Sequence, residues 1–160
     1  MRQLLGVVGA VVAVGAALLA GLVVTMRTRW EPGLRFVRRV NRRFTNPRAL
    51  RTAGRPGASA AAIRHVGRTS GREYVTPIGV EVTKDGFLTL LPYGSGADWV
   101  RNVLAAGRAE VTVAGVTHRV GSPEVLDVAR AGSALSAGER RVARVFGVTE
   151  ILRLRPEAPA

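Results

Sequence analysis

The chain contains no cysteine, only two histidines and few aromatic residues. Without cysteine there are no disulfides, no thiolate metal sites and no cysteine nucleophile, and the composition suits a reducing compartment. His65 and His118 alone do not make a histidine-rich metal site, so no metal centre is expected. Acidic residues are also scarce, 11 against 24 Lys and Arg, which leaves a formal net charge of +13. That imbalance is regional. Residues 1–26 contribute only Arg2, residues 27–72 hold thirteen arginines against Glu31, and residues 73–160 carry ten basic and ten acidic groups. Charge concentrated in one block speaks for membrane topology and anionic lipid before it speaks for nucleic acid.

The block follows a long apolar run. From Leu4 to Met26 there is no charged residue, and at helical rise this stretch spans about 34 Å against a hydrocarbon core of about 30 Å. A cleaved signal peptide would have a shorter apolar region and a small-residue cleavage site. Arg27, Arg29, Arg35, Arg38, Arg39, Arg42 and Arg43 follow the run, against Arg2 in front of it. The positive-inside rule then predicts a single-pass anchor with residues 27–160 in the cytoplasm and Trp30 at the interface. Ala13, Ala17 and Gly21 recur at four-residue spacing, which suits packing of a helix homodimer.

Beyond the anchor, residues 34–45 place Leu34, Val37, Val40 and Phe44 on one helical face with arginines around it. This pattern predicts a basic amphipathic helix, lying on lipid or packed on the domain and ended by Asn46-Pro47. Strand texture follows in AAIRHV, EYVTPIGVEV and FLTLL, with a Lys84-Asp85-Gly86 turn between the last two. DWVRNVLAAG reads as a helix closed by Gly107, and AEVTVAGVTHRV as a hairpin turning at Ala114-Gly115. PEVLDVA continues as a strand or strand-like edge, residues 133–146 look helical, and TEILRLR closes the sheet. Six or so short strands, mostly in hairpins, predict a mainly β domain with flanking helices, a small β-barrel preceded by one transmembrane helix. The expected division is a flank at 1–3, a transmembrane helix at 4–26, a juxtamembrane helix and linker at 27–58, a barrel at 59–156 and a tail at 157–160.

Two loops carry candidate chemistry. In the turn at residues 67–72, Arg68, Thr69, Ser70 and Arg72 offer guanidinium groups and hydroxyls beside the amides of a glycine-bearing turn, all suited to a phosphate or carboxylate. Tyr93-Gly94-Ser95-Gly96-Ala97 leads into the helix near Asp98, whose N-terminus is a second anion-seeking element. Both loops are equally readable as a hairpin turn and a helix cap. Tyr93 is the candidate proton donor or a packing residue. His65 reads as a barrel or rim residue, His118 as remote from both loops, Asp98 as an acid matched to the helix dipole, and Arg101 as an outer contact.

"HVGRTSGREYVTPIGV" followed by "GFLTLLPYGSGADWVRNVLAAGRAEVTV" resembles the deazaflavin-dependent nitroreductase family, split-barrel proteins that use coenzyme F-420 as hydride carrier. The likeness runs from about Arg38 to about Val125. Its motifs fall on Gly67, Arg68, Ser70, Gly71, Arg72, Thr76 and Pro77, and on Gly94, Gly96, Ala97, Trp99 and Asn102. The resemblance implies a split β-barrel in which Arg68, Ser70 and Arg72, with Thr69 between them, hold the phosphate and acidic tail of the coenzyme. Thr76 and Pro77 would line the deazaflavin edge, and Gly94, Ser95, Gly96 and Ala97 would contact it through backbone amides. Trp99 and Asn102 would fix the following helix. Nitroimidazole-activating relatives carry a serine-lysine pair before their glycines and tyrosines near the C-terminus, whereas this chain has Pro92-Tyr93 and no later tyrosine.

The expected activity is therefore hydride transfer from reduced coenzyme F-420 to a lipophilic acceptor, a quinone or nitroaromatic compound, at a membrane. FMN is the alternative cofactor. A noncatalytic membrane-surface or nucleic-acid-binding protein is the alternative class, although nucleic acid is not expected because the basic run lacks interleaved aromatics for stacking.

Overall fold

The computed structural model describes residues 2–131 and 134–157. The apolar run forms one helix, α1 (Arg2–Arg27). It is long and apolar enough to cross a membrane, with a mean hydropathy of 2.1 over Ala10–Arg27 and 6% of that window buried. Its C-terminal end packs on the rest of the chain. Met26 is buried, and Arg27 donates through Nη1 to the Arg144 carbonyl at 2.8 Å.

A short turn with Arg29 at φ 53° leads into α2 (Glu31–Val40). Gly33 is required where that turn closes, since a Cβ there would lie 2.5 Å from both Thr25 Cγ2 and Trp30 Cε3. Helical structure does not end at Asn46-Pro47, as the sequence predicts. It passes through a π turn, Asn41–Thr45, into α3 (Asn46–Ala49), with Pro47 in the first turn of α3. In the wide turn the Asn46 N–H reaches back to the Asn41 carbonyl, and a proline at a helix start removes no bond the helix needs. The same turn overturns the expectation for Phe44. Leu34 is buried and Val37 and Val40 are half-buried, but Phe44 is 53% exposed.

Seven antiparallel strands follow: β1 (Ala61–Val66), β2 (Glu73–Ile78), β3 (Glu81–Thr83), β4 (Gly86–Leu90), β5 (Arg108–Val113), β6 (Val116–Asp127) and β7 (Glu150–Pro156). Their order across the sheet is β2-β1-β5-β6-β7-β4-β3. EYVTPIGVEV is thus two strands, not one, and they stand at opposite edges joined only by Gly79 and Val80. That short link fixes the shape. A flat seven-stranded sheet is roughly 29 Å across at its normal spacing, while the link from Ile78 to Glu81 reaches roughly 11 Å at most. The sheet must therefore curl until its edges meet at that corner, giving an α+β fold built on an open, curled antiparallel barrel.

β6 is one twelve-residue strand whose first half, Val116–Gly121, pairs with β5, while Glu124–Asp127 pairs with β7 alone, so the PEVLD part of PEVLDVA is a strand with one side unpaired and Val128 already belongs to a helix. Pro123 is tolerated because it sits in the bulge between Gly121 and Glu124, where the ladder is interrupted. Helix α4 (Asp98–Ala106) ends at Gly107, and α5 (Val128–Ala131) follows β6. The helix expected over 133–146 begins only at Ala137, as α6 (Ala137–Phe146); residue 133 lies outside the described residues. Ser136 sets that start by accepting from the Glu139 N–H at 3.3 Å.

Inside the curl, Ile63, Val111, Val120, Leu152 and Leu154 pack against Val100 and Val103 of α4. Outside it, Leu88, Leu90 and Ile151 pack against Leu135, Ala143 and Val148. β4 is consequently buried on both faces along its whole length, which is why GFLTL shows no apolar-polar alternation.

Candidate functional site

The turn between β1 and β2 is braced from within. Gly67 donates to the Arg72 carbonyl at 2.8 Å, and Gly71 to the Gly67 carbonyl at 2.9 Å. Gly67 is required by packing, because a Cβ would lie 2.5 Å from Ser70 Oγ and 2.7 Å from a ring carbon of Tyr74. The Ser70 hydroxyl stays within the turn, 3.2 Å from the Tyr74 hydroxyl and 3.4 Å from the Arg72 amide. Thr69 and Arg72 are exposed, and among the described residues the Arg72 side chain makes no ion pair.

Arg68 joins this turn to α4. Its Nη1 donates to Asn102 Oδ1 at 2.9 Å, its Nη2 to Asp98 Oδ1 at 3.2 Å, and its backbone N–H also to Asn102 Oδ1 at 3.2 Å. Much of its donor fork is thereby used inside the chain, and its charge is paired with a carboxylate at the start of α4. Asp98, read from the sequence as an acid matched to the helix dipole, is also Arg68's ionic partner.

Behind Arg68 the network runs into the protein. Asn102 is buried and its Oδ1 accepts from Arg68, so its Nδ2 donates to His65 Nδ1 at 3.3 Å. Nε2–H of the neutral imidazole is then the donor to Thr76 Oγ1, 3.1 Å away. Burial pushes the His65 pKa down, which favours this neutral tautomer. His65, read from sequence as a barrel or rim residue, is a buried barrel residue and the link between Asn102 and Thr76. His118 packs against Phe87 on a different part of the sheet.

The second loop runs directly into α4, with Ala97 as the residue preceding its first turn. Gly94 donates to the Leu91 carbonyl at 2.9 Å and Ala97 to the Gly94 carbonyl at 3.3 Å. The Ser95 amide donates to Glu150 Oε2 at 2.5 Å, so a carboxylate of the chain itself fills that anion-seeking position. Gly96 is exposed, while Trp99 is half-buried and packs on the barrel core. Arg29, just beyond α1, reaches the same corner and donates to Thr149 Oγ1 at 3.4 Å.

Tyr93 also leans on the core, and its hydroxyl accepts a hydrogen bond from Asn41 Nδ2 in the π turn. Burial raises its pKa, and the Arg38 charge opposes that rise. The π turn therefore meets the barrel through Asn41.

The structure thus brings Arg68, Asn102, Ala97 and Thr76 into one connected surface around α4, with Thr69 and Arg72 on its exposed side. Pro77 stands beside Thr76 on the edge strand, paired with Ala62. Tyr93 and Gly94 form a second corner, closed by residues 29–41 and Glu150. Asn41 lies within the span of the family resemblance without a site role there, and Arg29 and Glu150 lie outside it; each reaches the site only through long-range packing.

No protein-family model matches the chain, and no curated protein matches it. Solved structures are similar to it. A protein of unknown function from Agrobacterium tumefaciens shares 19% identity at a TM-score of 0.46, over 62% of this chain and 49% of that one. The heme storage protein HutZ from Vibrio cholerae shares 15% at 0.44, over 63% and 83%. An F-420 reductase shares 13% at 0.43, over 68% and 92%. This chain spans about half the length of the first of these. At such identities and TM-scores the likeness assigns no chemistry, so the site stands on its own geometry.

Proposed function

We propose that this protein is a membrane-anchored oxidoreductase that carries a hydride from reduced coenzyme F-420 to a lipophilic acceptor, a quinone or nitroaromatic compound. The observation that carries the proposal is the Arg68 bridge, which holds the 67–72 turn against the start of α4 and so joins the two motif-bearing loops into one surface that carries the exposed Arg72. A polyanionic coenzyme tail suits that surface. Arg72 and Thr69 are exposed on it, and the start of α4 adds its positive dipole end.

When bound, the coenzyme supplies the hydride. The remaining work falls to the chain. Arg72 binds anionic oxygens, Thr76 and Pro77 line the ring edge, and the 94–97 loop limits the other side. Tyr93 offers a hydroxyl proton to the reduced acceptor, since the hydrogen bond from Asn41 occupies its oxygen and leaves its O–H free to donate. Placement of the domain on the cytoplasmic side follows from the arginines after α1.

The test uses the full chain in lipid nanodiscs. Binding of reduced coenzyme F-420, with its oxidation on addition of a quinone, supports the proposal. Tight binding of FMN or RNA without coenzyme binding would overturn it.

A further inference from the structure

α2 and the π turn have two unlike sides. One side faces the protein, with Leu34 buried and Asn41 bonded to Tyr93 of the barrel. The other side is bare. Phe36 is 67% exposed and Phe44 53% exposed, and Arg35, Arg39 and Arg43 are exposed around them. In a continuous α-helix, with 3.6 residues per turn, Phe44 would fall in line with the half-buried Val37 and Val40. The wider turn at Asn41–Thr45 rotates it away, onto the side that carries Phe36. Two aromatic side chains set in a ring of arginines thus owe their common side to a local break in helical periodicity.

The depth of this side is set by the short connection after α1. The apolar window ends at Arg27 and α2 begins at Glu31, with Trp30 58% exposed between them and bonded back to the Thr25 carbonyl. A helix that starts within four residues of the end of an apolar span begins at the level where acyl chains give way to headgroups.

We propose that α2 and the π turn lie flat on an anionic bilayer surface, with Phe36 and Phe44 inserted at the headgroup boundary and the arginines on lipid phosphates, while the opposite side holds the Tyr93 corner. The occupant follows from continuity with α1 and from charge. Aromatic rings prefer the interface, and arginines beside them complement an anionic leaflet. The barrel is thereby held with its Tyr93 corner next to lipid, where a lipophilic acceptor enters. This inference rests on α1 being a membrane anchor.

The absence of cysteine makes the test direct. Full chains carrying Leu18→Cys, Phe36→Cys, Phe44→Cys or Val116→Cys are spin-labelled and reconstituted in vesicles of phosphatidylglycerol and phosphatidylcholine. Access to lipid-soluble oxygen and to a water-soluble nickel chelate is then compared. Labels at 18, 36 and 44 should favour oxygen, and the label at 116 should favour the chelate. Pure phosphatidylcholine should return 36 and 44 to water while 18 stays in lipid. The pair Arg39→Gln and Arg43→Gln should weaken docking roughly 25-fold, at about fivefold for each arginine. The proposal is overturned if labels 36 and 44 behave like 116 while 18 is in lipid. It is also overturned if they are shielded from both reagents, the result expected for contact with a second copy. If label 18 is itself in water, the anchor reading fails and takes this inference with it.

Discussion

Asn41 Nδ2 donates a hydrogen bond to the hydroxyl oxygen of Tyr93, linking the segment just after the apolar helix to the mouth of the barrel across 52 positions of sequence. A bond to the phenolic oxygen favours the ionised form, as does the nearby Arg38 charge, while burial disfavours it. Removing Asn41 should therefore move the Tyr93 titration to higher pH. The chain has only two tyrosines, so Tyr74→Phe leaves Tyr93 as the single phenol. Phenolate absorbance of Tyr74→Phe with and without Asn41→Ala reads the shift, and an unchanged or lower titration would show the bond to be absent.

Arg68 and Arg72 should separate by phenotype. Arg68→Ala removes the donors facing the Asn102 Oδ1 and is expected to cost about 1–2 kcal/mol of stability, read by urea denaturation. Its exposed pairing with Asp98 adds little to that figure. Arg72→Ala should change stability by less than about 0.5 kcal/mol yet weaken coenzyme affinity. Equal effects of the two substitutions on stability would refute this division.

His65 gives a pH dependence. Its folded pKa is depressed below the ordinary 6.5 by burial, so the unfolded chain takes up the proton first as pH falls. Its contribution to stability should be complete above about pH 6.5 and decline as pH drops from there toward the folded pKa. His65→Gln should flatten that part of the stability profile measured by thermal unfolding. A wild-type profile that rises on acidification through this window would contradict the neutral tautomer.

Glu150 should hold the glycine loop in place. Glu150→Ala leaves the Ser95 amide without its acceptor and should speed its hydrogen exchange by roughly tenfold, equivalent to a bond of about 1.4 kcal/mol. Glu150→Gln keeps an acceptor oxygen and should fall between the two. If exchange at Ser95 is the same in all three proteins, the contact is not formed in solution.

Much of the local structure was legible along the chain. Lys84-Asp85-Gly86 turns a hairpin, Ala114 and Gly115 both adopt positive φ in the next one, and Gly107 closes α4 in the left-handed region. These features depend on a few adjacent residues and their backbone preferences. The π turn was not legible, because Asn46-Pro47 signals a helix end equally well. Nor was the division of EYVTPIGVEV between two sheet edges, since both halves have strand composition.

The sequence by itself determined the apolar span, the arginine block after it, the hairpins and the two polar loops, all of them consequences of composition and neighbours within a few residues. Only the tertiary structure decided which groups face one another. It turned Arg68 into a bridge to Asp98 and Asn102, put Glu150 on the Ser95 amide, and brought Asn41 to Tyr93. Those pairings arise from curling a seven-stranded sheet until its edges meet, and pairings between distant strands and helices leave no period or motif in the chain.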